Sequence, residues 1–335
     1  MPGAHQQPEP GETGTRRIDW QWRAAALGAV DAAPAAAVTA AVAVPSGVAL
    51  AVGVLPAAIM GLPPTRRARA ALILIGILTG LPMALGSLVA HTPLLAIVVV
   101  FTLAVGAAAL ARTTVAKRRN LGRVLSTLSV PLVGVGLSYD DPATAVGLAV
   151  LMIGGSVFAY VVSLLLPEHA AVAPARPGTA ITLGYGVRLG AAGATAAAIG
   201  FALDLDHVGW ACAAALLVMR PDTDEQVTRM AGRIASMLIG GTAAVLVVGT
   251  TPADWVYSAA VVAVIATAAA THRSRWYMTS TFTTFLVFVL LLYSDPEQAG
   301  YRFTERFSET VLGVAIAFLF GIAVPALGRR TQSSR

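Results

Sequence analysis

Residues 206–245, DHVGWACAAALLVMRPDTDEQVTRMAGRIASMLIGGTAAV, read as two apolar helices joined by a charged elbow. The first helix is short, Val208 to Met219, and the elbow carries Arg220, Pro221, Asp222, Asp224 and Glu225. The second opens with Arg229 and Arg233 and then sets Gly232, Ser236, Gly240 and Ala244 four apart. That interval puts small side chains on one helical face, where another backbone can approach closely. A weaker copy stands earlier, at Val52 to Ala84, where Pro63, Pro64, Arg66, Arg67 and Arg69 form the elbow. Its Arg69, Gly76 and Gly80 take the places of Arg233, Gly240 and Ala244.

Composition says where such helices must lie. The chain is 56% hydrophobic and only 12% charged, with a mean hydropathy of +0.74. Soluble domains carry about a quarter charged residues, so lipid must face much of the apolar excess here. Cys212 is the single cysteine, which excludes an internal disulfide and a thiolate metal cluster. The arginines fall in short blocks between apolar runs, without interleaved aromatics to stack bases. They read as topology signals, not as a nucleic-acid surface.

A bilayer core of about 30 Å needs roughly 20 helical residues. On that ruler the chain divides into twelve spans, near 24–44, 47–62, 68–90, 93–111, 122–139, 143–166, 181–203, 207–220, 230–249, 254–271, 275–293 and 303–326. With a cytoplasmic N-terminus, 21 of the 23 Lys and Arg residues fall on the inner side, leaving Arg302 and Arg306 outside. That distribution supports both the count and the orientation. STLSVPLVGVGLSYDDP at 126–142 aligns without a gap to STFTTFLVFVLLLYSDP at 280–296, with nine of seventeen positions identical. The second half thus repeats the first. Six spans per unit place both units the same way up, related by a half-turn about the membrane normal, with a site between them. The expected organisation is a polar tail at 1–20, a first repeat at 21–167, a linker at 168–180, a second repeat at 181–327 and a basic tail at 328–335, with both ends cytoplasmic.

The second half resembles the fusaric acid resistance (FUSC) family, which is related to the aromatic acid exporters. The matching residues are the D-H-x-x-W-A run from Asp206 to Ala211 and the Arg220-Pro221 pair after it. R-x-x-x-R-x-x-x-x-x-x-G-G follows from Arg229 to Gly241, then R-x-x-E-T-x-x-G from Arg306 to Gly313, and finally Pro325. The first half looks like a degenerate copy. The resemblance implies an inner-membrane protein that exports organic, often aromatic, acids. The space between the halves is too short for the cytoplasmic domain of larger family members.

Several residues are candidates for a substrate or ion path. Asp31 sits inside the first span, where a carboxylate is costly unless it faces the bundle interior or water. Arg306 and Glu309 open the last span on one face; they read either as an anion-attracting vestibule or as interfacial ion pairs. The hydroxyls Ser280, Thr281 and Thr284, with Ser126 and Thr127 in the other half, either line a polar path or bond back to their own helices. His207 and Trp210 sit near the outer end of a short span, a feature that points to a transporter's binding site; the plainer readings are an interfacial Trp210 and a solvated interface His207. Gly76, Gly80, Gly232, Ser236, Gly240, Gly313 and Gly321 are read as helix-packing positions.

No nucleotide loop, metalloprotease motif or acyltransferase motif occurs, so an enzyme is not expected, nor is any metal or cofactor. The reading is an all-helical secondary transporter exporting organic anions in exchange for protons, with the lipid bilayer and a small organic anion as partners. A passive anion channel and a non-transporting membrane scaffold remain as alternatives, and the oligomeric state is open.

Overall fold

The computed structural model describes residues 20–168, 179–272 and 276–327. Every regular element among them is helical. In chain order these are α1 (Trp22–Ala41), α2 (Val44–Met60), the single turn α3 (Arg66–Arg69), α4 (Ala71–Ala90), α5 (Pro93–Ala111), α6 (Ala116–Val124) and α7 (Val130–Gly136). There follow α8 (Pro142–Leu164), α9 (Leu183–Ala202), α10 (Gly209–Val218), α11 (Thr223–Gly249), α12 (Asp254–Ala270), α13 (Trp276–Leu292) and α14 (Ala299–Phe318). A π turn at Leu125–Ser129 joins α6 to α7 without a break, and another at Leu319–Ala323 prolongs α14. The expected tails at 1–20 and 328–335, apart from Trp20, and most of the linker at 168–180 lie outside the described residues.

Among the described residues, six helical stretches are long and apolar enough to cross a membrane: Trp22–Ala41, Arg66–Ala90, Pro93–Ala111, Pro142–Leu164, Thr223–Gly249 and Pro296–Leu327. Shorter apolar helices stand at Val44–Met60, Gly209–Val218, Asp254–Ala270 and Met278–Leu292. Leu74, Leu81, Leu85 and Leu88 of α4 and Leu94, Leu95 and Val98 of α5 are exposed. A face of this kind is stable only against lipid, because large contiguous apolar patches are not sustained in water. The protein is therefore a multi-pass membrane protein.

Proline explains the first two helices. Pro34 lies inside α1, while Pro45 occupies the first turn of α2, where its missing N–H is no loss. Where a fifth span was expected at 122–139, the helical run extends from Ala116 to Gly136 and starts earlier, because the basic run AKRRNLGRV is itself helical; it is not one of the membrane-length apolar stretches.

Two packed clusters hold the bundle. One joins α5, α7, α9 and α10 through Val100, Leu189, Leu216 and Met219. The other joins α1, α2, α12 and α13 through Val48, Ile265, Phe288 and Leu292. α1 packs on α12 and α5 on α9; α2 packs on α13 and α7 on α10. α4 packs on α7 and α8, while α11 packs on α13 and α14. α2 also packs on α8, and α10 on α14. Small residues make these approaches possible. A Cβ on Gly240 would stand 2.5 Å from the Thr281 carbonyl, and one on Gly313 would press on the Ala211 carbonyl.

Candidate functional site

The elbow after α10 is built around one carbonyl and one amide side chain. Met219 leaves helical geometry as the cap of α10, and its carbonyl accepts from the Tyr185 hydroxyl at 3.1 Å and from Arg220 Nη1 at 2.6 Å. Gln226 is fully buried; its Oε1 accepts from the Arg220 backbone N–H and its Nε2 donates to the Ala317 carbonyl at 2.7 Å. The Asp222 carboxylate caps α11 by accepting from the Glu225 N–H. A short helix thus hands over to a long one with the freed carbonyl satisfied, and three arginines follow within four turns.

Arg220, Arg229 and Arg233 open onto a cavity of about 540 Å³ that also reaches Arg306 and Tyr139. Met83, Val135 and Met152 wall it from α4, α7 and α8, and Val287 and Phe288 from α13. Thr127, Thr279, Ser280, Thr283 and Thr284 supply hydroxyls. No Asp or Glu among the described residues lines it. Glu225 outside the cavity pairs with both Arg220, at 3.3 Å, and Arg229, at 2.9 Å. Arg233 is 9% exposed; its Nη1 donates a long bond of 3.4 Å to Thr284 Oγ1, and its Nε has no hydrogen-bond partner.

Arg306, in the cavity wall, also belongs to a stack. The Arg306 guanidinium lies 3.7 Å above the Trp210 ring, and the His207 ring lies 4.0 Å from the same indole at an angle of 18°. His207 Nδ1 is 2.8 Å from Glu305 Oε1, and Arg302 bridges Glu305 and Asp206 at 3.1 Å each. α10 and α14 run side by side in the same direction, since Trp210 meets Arg306 and, farther along both, Ala214 and Ala215 meet Gly313. Glu309 lies one turn beyond Arg306. It is 4% exposed, does not line the cavity, and neither of its oxygens has a hydrogen-bond partner among the described residues. Arg306 Nη1 also lacks one.

The cavity arginines, the stacked His207 and Trp210, and Glu309 fall inside one stretch of known type. Residues 194–320 match the family described as fusaric acid resistance protein-like. The resemblance read from the sequence is borne out over that stretch. No curated protein and no solved structure matches the chain. The fusaric acid resistance-like stretch supplies all four cavity arginines, while residues 49–152, outside it, supply most of the apolar wall.

Of the residues singled out in sequence, Thr127, Ser280, Thr284 and Arg306 line the cavity. Ser126 does not; its hydroxyl donates to the Gly122 carbonyl. Thr281 turns its carbonyl to Gly240, at the α11 contact. His207 and Trp210 belong to the stack with Arg306, and Glu309 sits behind Arg306. Asp31 is elsewhere, buried on α1 with its Oδ1 unpartnered among the described residues. Among the packing positions, Gly76 faces Ser156, Gly80 the Ala149 carbonyl, Gly321 the Gln226 side chain, and Ser236 Oγ meets Ser280 Oγ at 2.9 Å. Gly232 is buried on α11.

Sequence reasoning did not place Arg220, Arg229, Arg233 or Tyr139 in the site. The three arginines stand close to where an interface was expected and were absorbed as topology signals. Their spacing held the cue, because Arg229 and Arg233 are one turn apart on the helix that also carries the small-residue face. Among the described residues, no group of three or more His, Cys, Asp or Glu side chains is placed to hold a metal ion.

Proposed function

We propose that this protein is a FUSC-type secondary transporter that exports organic anions, aromatic acids among them, across the cell membrane. The observation that carries the reading is a cavity with four arginines, no lining carboxylate and apolar walls. Its volume, about 540 Å³, suits a small organic molecule. The arginines recognise an anionic head, and Met83, Val135, Met152 and Phe288 suit an apolar body. Two arginines share Glu225, which leaves Arg233 and Arg306 without a directly paired carboxylate.

The architecture behind this reading is two six-helix units related by a half-turn along the membrane normal, both termini cytoplasmic. The packing pairs support it. Exchanging the units turns α1 on α12 into α9 on α5, and α2 on α13 into α10 on α7. The two packed clusters exchange in the same way. The cavity is lined from both units, where alternating access needs its site. In this orientation Arg220 and Arg229 face the cytoplasm, and the Trp210–Arg306 stack lies toward the outer side.

The test is flux of radiolabelled benzenesulfonate in proteoliposomes holding the purified full chain. Flux that Arg233→Met abolishes supports the reading. A current under an anion gradient, insensitive to protonophore, replaces it with the channel. Neither flux nor current leaves a scaffold.

A further inference from the structure

Arg306 and Glu309 are both buried, one turn apart on α14, and the structure satisfies neither. Among the described residues, Arg306 reaches the cavity with Nη1 unpartnered, and Glu309 stands behind it with both oxygens unpartnered. The charged and titratable groups around them are few. Arg233 faces them from α11, Tyr139 from the end of α7, and Asp206 and His207 from the segment before α10. Arg302 and Glu305 lie on their own helix. His207 with Glu305, and Arg302 with Asp206 and Glu305, are already paired among themselves. Glu309 is therefore the nearby carboxylate not engaged elsewhere, and a cavity ligand is the other negative charge that Arg306 can meet.

We propose that Glu309 is a proton-binding site linked to the anion site at Arg306, so that one proton loads with each anion and travels the same way. The linkage rests on the anion-cavity reading above. In the empty site the Arg306 cation is balanced by the Glu309 carboxylate. An anion bound between Arg306 and Arg233 engages both cations that face Glu309, and an ionised Glu309 is then a buried charge without a free cationic partner. A proton is taken up from the buffered solvent, and the carboxylate becomes the neutral acid. The loaded and empty states then carry the same net charge through the low-dielectric bundle. This is the opposite of exchange for protons, the coupling expected from the sequence. Export then follows the gradient of the acid itself and relieves an internal excess.

The test uses benzenesulfonate, an organic anion that stays ionised and cannot carry the proton itself. Its binding to the full chain in detergent is followed by titration calorimetry from about pH 6 to about pH 9, in buffers of different ionisation enthalpy. Expected is proton uptake rising toward one per anion, with affinity falling about tenfold per pH unit once Glu309 is ionised. Glu309→Gln should bind more tightly at the alkaline end, with no uptake and a flat pH profile. Glu309→Asp should restore uptake, which a purely structural role would not require. Binding by the wild type without uptake, or with proton release, overturns the linkage, and so does uptake that survives in Glu309→Gln. Absence of binding by the wild type removes the anion site itself, and both proposals with it.

Discussion

The guanidinium of Arg306 lies 3.7 Å above the indole of Trp210, so a buried cation is held by a ring face on one side and opens to the cavity on the other. The ring carries negative potential on its face, and a desolvated contact of this kind contributes about 2 kcal/mol. Trp210→Leu keeps an apolar side chain and removes that face. It should lower the apparent melting temperature of the protein in detergent, and Trp210→Phe should recover part of the loss. Equal stability for Leu and Trp at this position would remove the cation–ring contact from the account.

Arg69 and Arg233 follow elbows of similar sequence but do opposite work. Arg69 is fully buried and donates to the carbonyls of Pro63, Ser163, Leu166 and Pro167, closing the end of α8. Arg69→Met strands those acceptors and should cost about 3 kcal/mol or more, since hydrogen bonds to a charged group are strong. Arg233→Met removes a buried cation with one long bond, so stability should hold or rise while benzenesulfonate binding is lost. Thermal melts and binding on the two variants check the contrast.

The glycines divide by what a methyl group would meet. A Cβ on Gly209 would run into the Gly134 carbonyl where α10 crosses α7, whereas one on Gly147 would meet nothing within 4 Å. Gly209→Ala should fail to give folded protein. Gly147→Ala should fold normally and gain slightly, because Ala is the better helix former by about 1 kcal/mol. Size-exclusion profiles of the detergent extracts distinguish them.

Asp141, in the loop before α8, caps that helix. Its carboxylate accepts from Ala143 N, from Thr144 N and, at 2.6 Å, from the Thr144 hydroxyl. These bonds, the hydroxyl first, hold its carboxyl below the ordinary carboxylate range. A lowered folded value means the contribution is fully present above the unfolded value and is lost as pH falls through the folded one. The melting-temperature advantage of wild type over Asp141→Ala should therefore be constant near neutrality and disappear only on the acid side. An advantage that vanishes already near neutrality would contradict the cap.

Much of the fold is legible because lipid imposes a simple rule. Backbone groups in hydrocarbon must bond within their own helix, so long apolar runs between arginine blocks mark helices directly. Tyr139 and Tyr293, in two segments of similar sequence, illustrate what the same rule hides. Aligned in sequence, they part in space: Tyr139 lines the cavity, while Tyr293 packs edge-on against Tyr257 and donates to Asp254. A local pattern carries no record of which neighbour a side chain will meet.

By itself the sequence determined that this chain is helical, lies in a membrane and has a broken pair of helices at 206–245, since hydropathy, proline and small-residue spacing act within a few turns. Only the tertiary structure decided that Arg220, Arg229 and Arg233 share a cavity with Arg306, that Glu309 stands behind it unsatisfied, and that Arg69 does not take part. Those facts depend on which helices cross and how closely, and burial of a charge becomes a statement about function only once its partners, or their absence, can be seen.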